Sequence, residues 1–244
     1  MLLIHRSVLC VLAAAVAFGT SACGEDKKES SAAKPKQPAA ARGVALPDSS
    51  ARPATLVAGK RYSPAIFRPR MSFVLPENRW ETAEPESERS LAIRLAAPQP
   101  TRNAILAFVR VERVFDPQKG GRTAADGVPA PKDFAGWLER HPRLKSEPAV
   151  SVEVGGASGR QVDVTVRQAP QRCETPDGPQ PCLRLYLNGD IPIEFGKGDR
   201  LRYMVLDVGG EQLVVELYVS PGQRFEAVLP DLEAAIKQLS FEPT

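Results

Sequence analysis

Histidine is almost missing from this 244-residue chain, with only His5 and His141. Imidazole-based metal sites and proton relays therefore have little to build on. The common catalytic and nucleotide-binding signatures are missing as well. There is no H-E-x-x-H, no C-x-x-C, no G-x-x-x-x-G-K-[ST] and no Rossmann glycine pattern, and the serine in "GGASG" lacks the G-x-S-x-G spacing of a nucleophile elbow. No concentrated basic stripe is present, which argues against a nucleic-acid partner. The formal charge is only +3, and it includes Arg6 in a segment read below as removed. The most apolar stretch, "VLCVLAAAVAF" from Val8 to Phe18, is 11 residues long. A bilayer span needs about 20.

That short stretch is instead an export signal. Arg6 supplies the positive start and Val8–Phe18 the apolar core, and residues 19–22 form a small-residue tract ending at Cys23. The sequence around the cut resembles the bacterial lipoprotein cleavage box, in which a dedicated peptidase cuts before a cysteine carrying a diacylglyceryl thioether. Ser21, Ala22 and Cys23 match the box; Thr20 stands where an aliphatic residue is usual. The general signal peptidase is the alternative, with Thr20 and Ala22 as its small-residue pair. Either cut makes residues 1–22 a signal peptide and Cys23 the new N-terminus.

Cysteine use fits this division. Of four cysteines, Cys10 lies in the apolar core and Cys23 at the cut, leaving Cys173 and Cys182 in the body. Those two frame "CETPDGPQPC", whose prolines and Asp177-Gly178 let the chain double back. In an oxidising compartment they are expected to form a disulfide worth about 2–3 kcal/mol. No further Cys or His stands near them to make a metal site. After the cut, residues 23–54 are rich in Lys, Ser, Ala and Pro and poor in large apolar side chains. Such a segment reads as a lipid-anchored disordered tether, with a mean reach of roughly 30 Å.

Residues 55–244 are expected to form one α+β domain. Met71, Phe73 and Leu75 alternate, as do Leu91, Ile93 and Leu95, and "AILAFVRVERV" continues with period two. Residues 116–131 read as a long loop. The period then changes: Phe134, Trp137 and Leu138 fall at helical spacing behind Asp133, with Pro142 closing the helix. "VSVEV", "RQVDVTVR", "LRLYL", "IPIEF", "RLRYMVLDV" and "EQLVVELYV" read as strands, with Gly209-Gly210 as a hairpin turn. A C-terminal amphipathic helix follows from Phe225, with Pro230 marking a kink or fresh start. No βαβ alternation occurs, so the expected architecture is a mainly antiparallel sheet covered on one or both faces by a few amphipathic helices.

The succession "LVAGKRYSPAIFRPRMSFVLPENRW", "FAGWLERHP", "VEVGGASGRQVDV", "RYMVLDVGGEQLVVELYV" and a closing helix with "LSF" resembles a group of uncharacterised exported proteins of actinobacteria and related high-GC bacteria. The resemblance runs from about Leu56 to Phe241. It implies a Mog1/PsbP-like α/β/α sandwich and no particular activity.

Little in the body points to chemistry. His141 falls at the end of the first helix, where the helix dipole favours a cation, and Trp137 is expected to pack on the sheet. The carboxylates Asp163, Asp190, Glu194, Asp199 and Asp207 are candidates for pairing, and the loop "EFGKGDRLR" concentrates glycine with charge of both signs. No catalytic residue, metal ligand or cofactor is assigned, and no residue is assigned to a ligand. The expected function is that of a non-enzymatic binding or accessory module. It would be extracytoplasmic and held to the membrane by a lipid on Cys23, with a protein, cell-envelope or small-molecule partner. The alternative is an exported hydrolase or lyase using paired carboxylates near Asp199.

Overall fold

The computed structural model describes residues 43–96, 104–175, 178–219 and 225–242. The export signal, Cys23 and most of the tether lie outside the described residues. In chain order the elements begin with β1 (Thr55–Leu56), β2 (Arg61–Tyr62), β3 (Met71–Val74), β4 (Trp80–Thr82), β5 (Ser90–Leu95), β6 (Ala104–Val109), β7 (Arg113–Phe115) and β8 (Gly127–Pro129). Helix α1 (Phe134–Arg140) is followed by β9 (Leu144–Ser146), β10 (Val150–Val154), β11 (Ala157–Val166) and β12 (Gln171–Cys173). Then come β13 (Gln180–Asn188), β14 (Ile191–Phe195), β15 (Arg200–Val208), β16 (Glu211–Val219), helix α2 (Phe225–Ile236) and β17 (Ser240–Phe241).

A large antiparallel sheet forms the middle layer, in the order β1-β4-β5-β6-β16-β15-β11-β10, with β9 also on β11. Its centre is set by the hairpin β15–β16. Gly209 and Gly210 both take positive φ, 65° and 85°, which a two-residue turn of this hand requires. That turn fixes the register Val208↔Glu211 through Arg200↔Val219. Strand alternation then sorts the side chains. Met204, Leu206, Val208, Leu213, Val215, Leu217 and Val219 face one side, and Leu201, Tyr203 and Val214 the other. Both faces are apolar, so both must be covered.

Over the first face lie α2, through Phe225, Leu232, Ala235 and Ile236, and a small sheet ordered β17-β3-β2 that brings Tyr62, Met71 and Phe73. Over the second lie α1, through Phe134 and Leu138, and a five-stranded sheet ordered β12-β13-β7-β8 with β14 on β13. The expected mainly antiparallel α+β domain is therefore present, with a helix on each face of the sheet. Each helix shares its layer with a smaller sheet, because a single helix is too narrow to cover the central strands.

Three expectations need correction. Residues 116–131 are not simply a loop: a short 3-10 turn at Ala124–Asp126 leads into β8, which pairs with β7. "AILAFVRVERV" is two strands belonging to different sheets, β6 in the centre and β7 in the second layer. The folded body also starts before Thr55. Gly43 N donates to Ser63 Oγ at 3.0 Å, Val44 N to the Arg61 carbonyl at 2.9 Å, and Leu46 packs on the first core. Twelve residues assigned to the tether thus include described, hydrogen-bonded chain. Helix α2 continues through Pro230 without interruption.

Candidate functional site

The five carboxylates put forward from the sequence do not meet. Asp163 accepts from Arg202 Nε at 2.7 Å and Nη2 at 2.6 Å. Asp190 pairs with Arg113 at the exposed tip of the β13–β14 hairpin, and Glu194 with Arg184 at 2.8 Å. Asp207 Oδ1 accepts the Gly210 N–H at 2.8 Å and so closes the β15–β16 turn. Asp199 does the same work in the connection from β14 to β15: its Oδ2 accepts the Gly196 N–H at 2.8 Å, which folds "EFGKGDRLR" into a tight turn between the two sheets. Burial pushes the Asp199 carboxyl up, and Tyr218 is near enough to oppose that, although Oδ1 has no well-formed hydrogen bond. Each of the five has its own structural partner.

The carboxylate with the more unusual setting is Glu216, on β16. Its parity points it to the second face, where Tyr203 stands directly across the ladder. The Tyr186 hydroxyl, arriving from β13, donates to Glu216 Oε2 at 2.8 Å. Tyr203 Oη lies close enough to lower the carboxyl's pKa without the geometry of a well-formed hydrogen bond. Burial dominates and holds the Glu216 carboxyl up at about 7, with Glu84 pushing the same way. Glu216, Tyr186 and Tyr203 are all at most 5% exposed. A buried carboxyl held by tyrosine hydroxyls specifies how the second sheet seats on the first. A substrate has no access to it there.

His141 is also buried, as the C-cap of α1, with its ring edge-on to Trp137 at 4.9 Å. Its Nδ1 accepts from Arg143 N at 3.3 Å. Desolvation, helped by Arg143, lowers its pKa to about 4, so it is neutral at pH 7. The dipole role expected for it therefore does not apply, because that role needs the cation. Trp137 stacks on Phe134 at 5.3 Å and packs against the second core.

Cys173 and Cys182 are bonded across β12 and β13, with Cα atoms 5.8 Å apart and both residues buried. Glu194 lies beside them, but the two sulfurs are consumed by each other and leave one carboxylate, which already holds Arg184. The disulfide fixes β12 as one wall of an open cleft of about 960 Å3. The opposite wall is the segment 119–122 and the floor is Arg184, whose side chain is 12% exposed. Arg184 donates from Nη1 to the Gly121 carbonyl at 3.1 Å and from Nη2 to the Arg172 carbonyl at 3.2 Å. Gly121 is needed at its place, since a Cβ there would stand 2.2 Å from the Phe115 ring. The third side is Arg143, whose carbonyl accepts from Arg167 N at 2.9 Å and so ties down the chain entering β12. Lys119, Arg122, Arg143, Arg172 and Arg184 thus share one concavity. No single stretch of sequence holds this basic cluster, because four separated segments supply it.

No protein-family model and no curated relative matches the chain. Among solved structures it is similar to LpqN of Mycobacterium tuberculosis, described as involved in cell envelope biogenesis, with 16% identity and a TM-score of 0.38 over 79% of this chain and 91% of that one. It is also similar to the cyanobacterial PsbP of Synechocystis sp. PCC 6803, with 12% identity and a TM-score of 0.37 over 76% of this chain and 94% of that one. Neither likeness places the chain in a family.

Proposed function

We propose that this protein is an extracytoplasmic binding module, held at the membrane by a lipid on Cys23, that works by contact and without catalysis. The observation that carries the reading is the disulfide. A buried Cys173–Cys182 bond belongs to an oxidising compartment. It also leaves Cys23 as the one cysteine after the apolar run without a sulfur partner in the chain. Cys23 follows a tract that matches the lipoprotein box at Ser21 and Ala22, and the tether beyond it gives the domain room to reach a partner.

Contact is favoured over chemistry because the carboxylates available for acid–base work are spread over separate turns and ion pairs. The hydrolase or lyase alternative needs two that converge near Asp199, and Asp199 is committed to its own turn. Incorporation of radiolabelled palmitate tests the anchor: label is expected on the wild type and lost in Cys23→Ser, and equal incorporation would reject it. Capture from the membrane fraction with the tethered protein is expected to return a reproducible partner. Repeated capture of nothing counts against a binding role.

A further inference from the structure

We propose that the cleft between residues 119–122, Arg143 and β12 is a binding site for a multiply charged phosphate ligand, which deepens the binding-module reading by naming what is bound. The charge balance of the cleft points this way. Its cations are Lys119, Arg122, Arg143, Arg172 and Arg184, set against Asp126 and Glu174. Asp126 already serves its own loop, its Oδ2 accepting from Arg122 N at 2.7 Å and Thr123 N at 2.9 Å. Arg184 is balanced by Glu194 and holds the two walls together.

Arg122, Arg143 and Arg172, by contrast, hold no ion pair among the described residues, whereas Arg94, Arg160 and Arg202 on the central sheet each hold a carboxylate. Arg122 feels the charge of Asp126, but none of the three has a carboxylate at ion-pair distance among the described residues; guanidinium groups gathered in this way repel one another, and an anion relieves that repulsion.

The geometry selects among anions. A single carboxylate is satisfied by one guanidinium fork. Here the free arginines come from three different segments, and a tetrahedral phosphate, with oxygens pointing in non-coplanar directions, can join donors that arrive from separate walls. A volume of about 960 Å3 also exceeds what one phosphate fills and suits a ligand bearing several. A concavity with Arg184 as its floor admits a discrete headgroup or oligophosphate and does not match a flat charged surface.

The test uses the full chain with Cys23→Ser, so that no lipid on residue 23 contributes, and inorganic tripolyphosphate as the probe in calorimetry at low salt. The wild-type cleft is expected to bind it with an affinity that falls as salt rises. Arg122→Gln/Arg143→Gln/Arg172→Gln is expected to lose at least about tenfold in affinity, with an unchanged urea midpoint because none of the three holds an ion pair. Arg89→Gln/Arg110→Gln/Arg140→Gln removes the same charge outside the cleft and is expected to leave binding intact. Equal loss in both triple variants, or no binding by the chain with its cleft intact, overturns the proposal. Vesicles of phosphatidylcholine with phosphatidylglycerol then separate the sources. Cosedimentation that the cleft variant loses and tripolyphosphate competes away assigns the phosphate to a lipid headgroup. Tripolyphosphate binding without cosedimentation assigns it to a free or polymer-borne phosphate. Because the probe is read in solution, a negative result leaves the anchor on Cys23 untouched.

Discussion

The two faces of the central sheet are both buried, yet they are built on different chemistry. Beneath α2 and the β17-β3-β2 sheet, the core is hydrocarbon and aromatic, from Leu56 and Trp80 through Phe108 to Leu217 and Ile236. Beneath α1 and the five-stranded sheet, the same strands present Glu216 and Tyr203 to Tyr186 of β13, and His141 and Asp199 are buried at the edges. The first face supplies stability with little dependence on conditions, through apolar area removed from water. The second depends on protonation and carries the disulfide and the basic cleft.

The largest expected effect probes the first face. Leu217 is fully buried in it, and Leu217→Ala should cost about 2–5 kcal/mol, since the sheet on one side and α2 on the other limit collapse of the cavity. The loss should appear as the same shift in urea midpoint at pH 5 and pH 8. A shift that changed strongly with pH would erase the contrast between the faces.

The second face should respond to pH through two groups of opposite sign. Glu216 holds its proton to about 7 in the fold against an ordinary 4.5. Its contribution is fully present below pH 4.5 and is lost as pH rises through 7, on the order of 3 kcal/mol. His141 is lowered to about 4 against an ordinary 6.5. Its contribution is present above pH 6.5 and is lost as pH falls through 4. Between pH 4.5 and 6.5 the two slopes oppose each other. Glu216→Gln should therefore remove the fall in stability above pH 6.5 in urea titrations and leave a net rise between pH 4.5 and 6.5, supplied by His141 alone. An unchanged alkaline slope would remove Glu216 from this account.

How much of this was legible in the sequence depends on length and on layers. Strands of five residues or more, such as "VSVEV" and "EQLVVELYV", declare themselves by alternation, and Phe134, Trp137 and Leu138 declare α1. Strands of two or three residues, including β1, β2, β8, β12 and β17, are too short to show a period and exist because a longer strand offers them an edge. Glu216 was missed for a different reason. A carboxylate on alternate positions of a strand reads as the wet face until a second sheet is known to cover that face. Its signal was present in the spacing, because Glu216 shares parity with Val214 on a strand apolar on both sides. The cleft could not be read at all, since Lys119, Arg143, Arg172 and Arg184 are brought together only by the folding of the second layer. Cys23, the best-marked residue in the sequence, lies outside the described residues.

The smallest expected effect links the faces to the cleft. Cys173→Ser/Cys182→Ser should cost about 2–3 kcal/mol, as for any short loop released in the unfolded chain. It should also weaken tripolyphosphate binding, because β12 then keeps only its short ladder with β13 and the Arg184 bond to the Arg172 carbonyl. Leu217→Ala, though more destabilising, should leave binding by the folded protein unchanged. If the disulfide variant binds as tightly as the wild type, β12 is positioned without the bond.

Arg184 gives the cleft a property beyond charge. One guanidinium spans the carbonyls of Gly121 and Arg172 at 3.1 and 3.2 Å, so the gap between the two walls is set by the width of a planar group that cannot stretch. The two walls behave as a caliper locked at one setting, able to part only by giving up the bonds that define their separation.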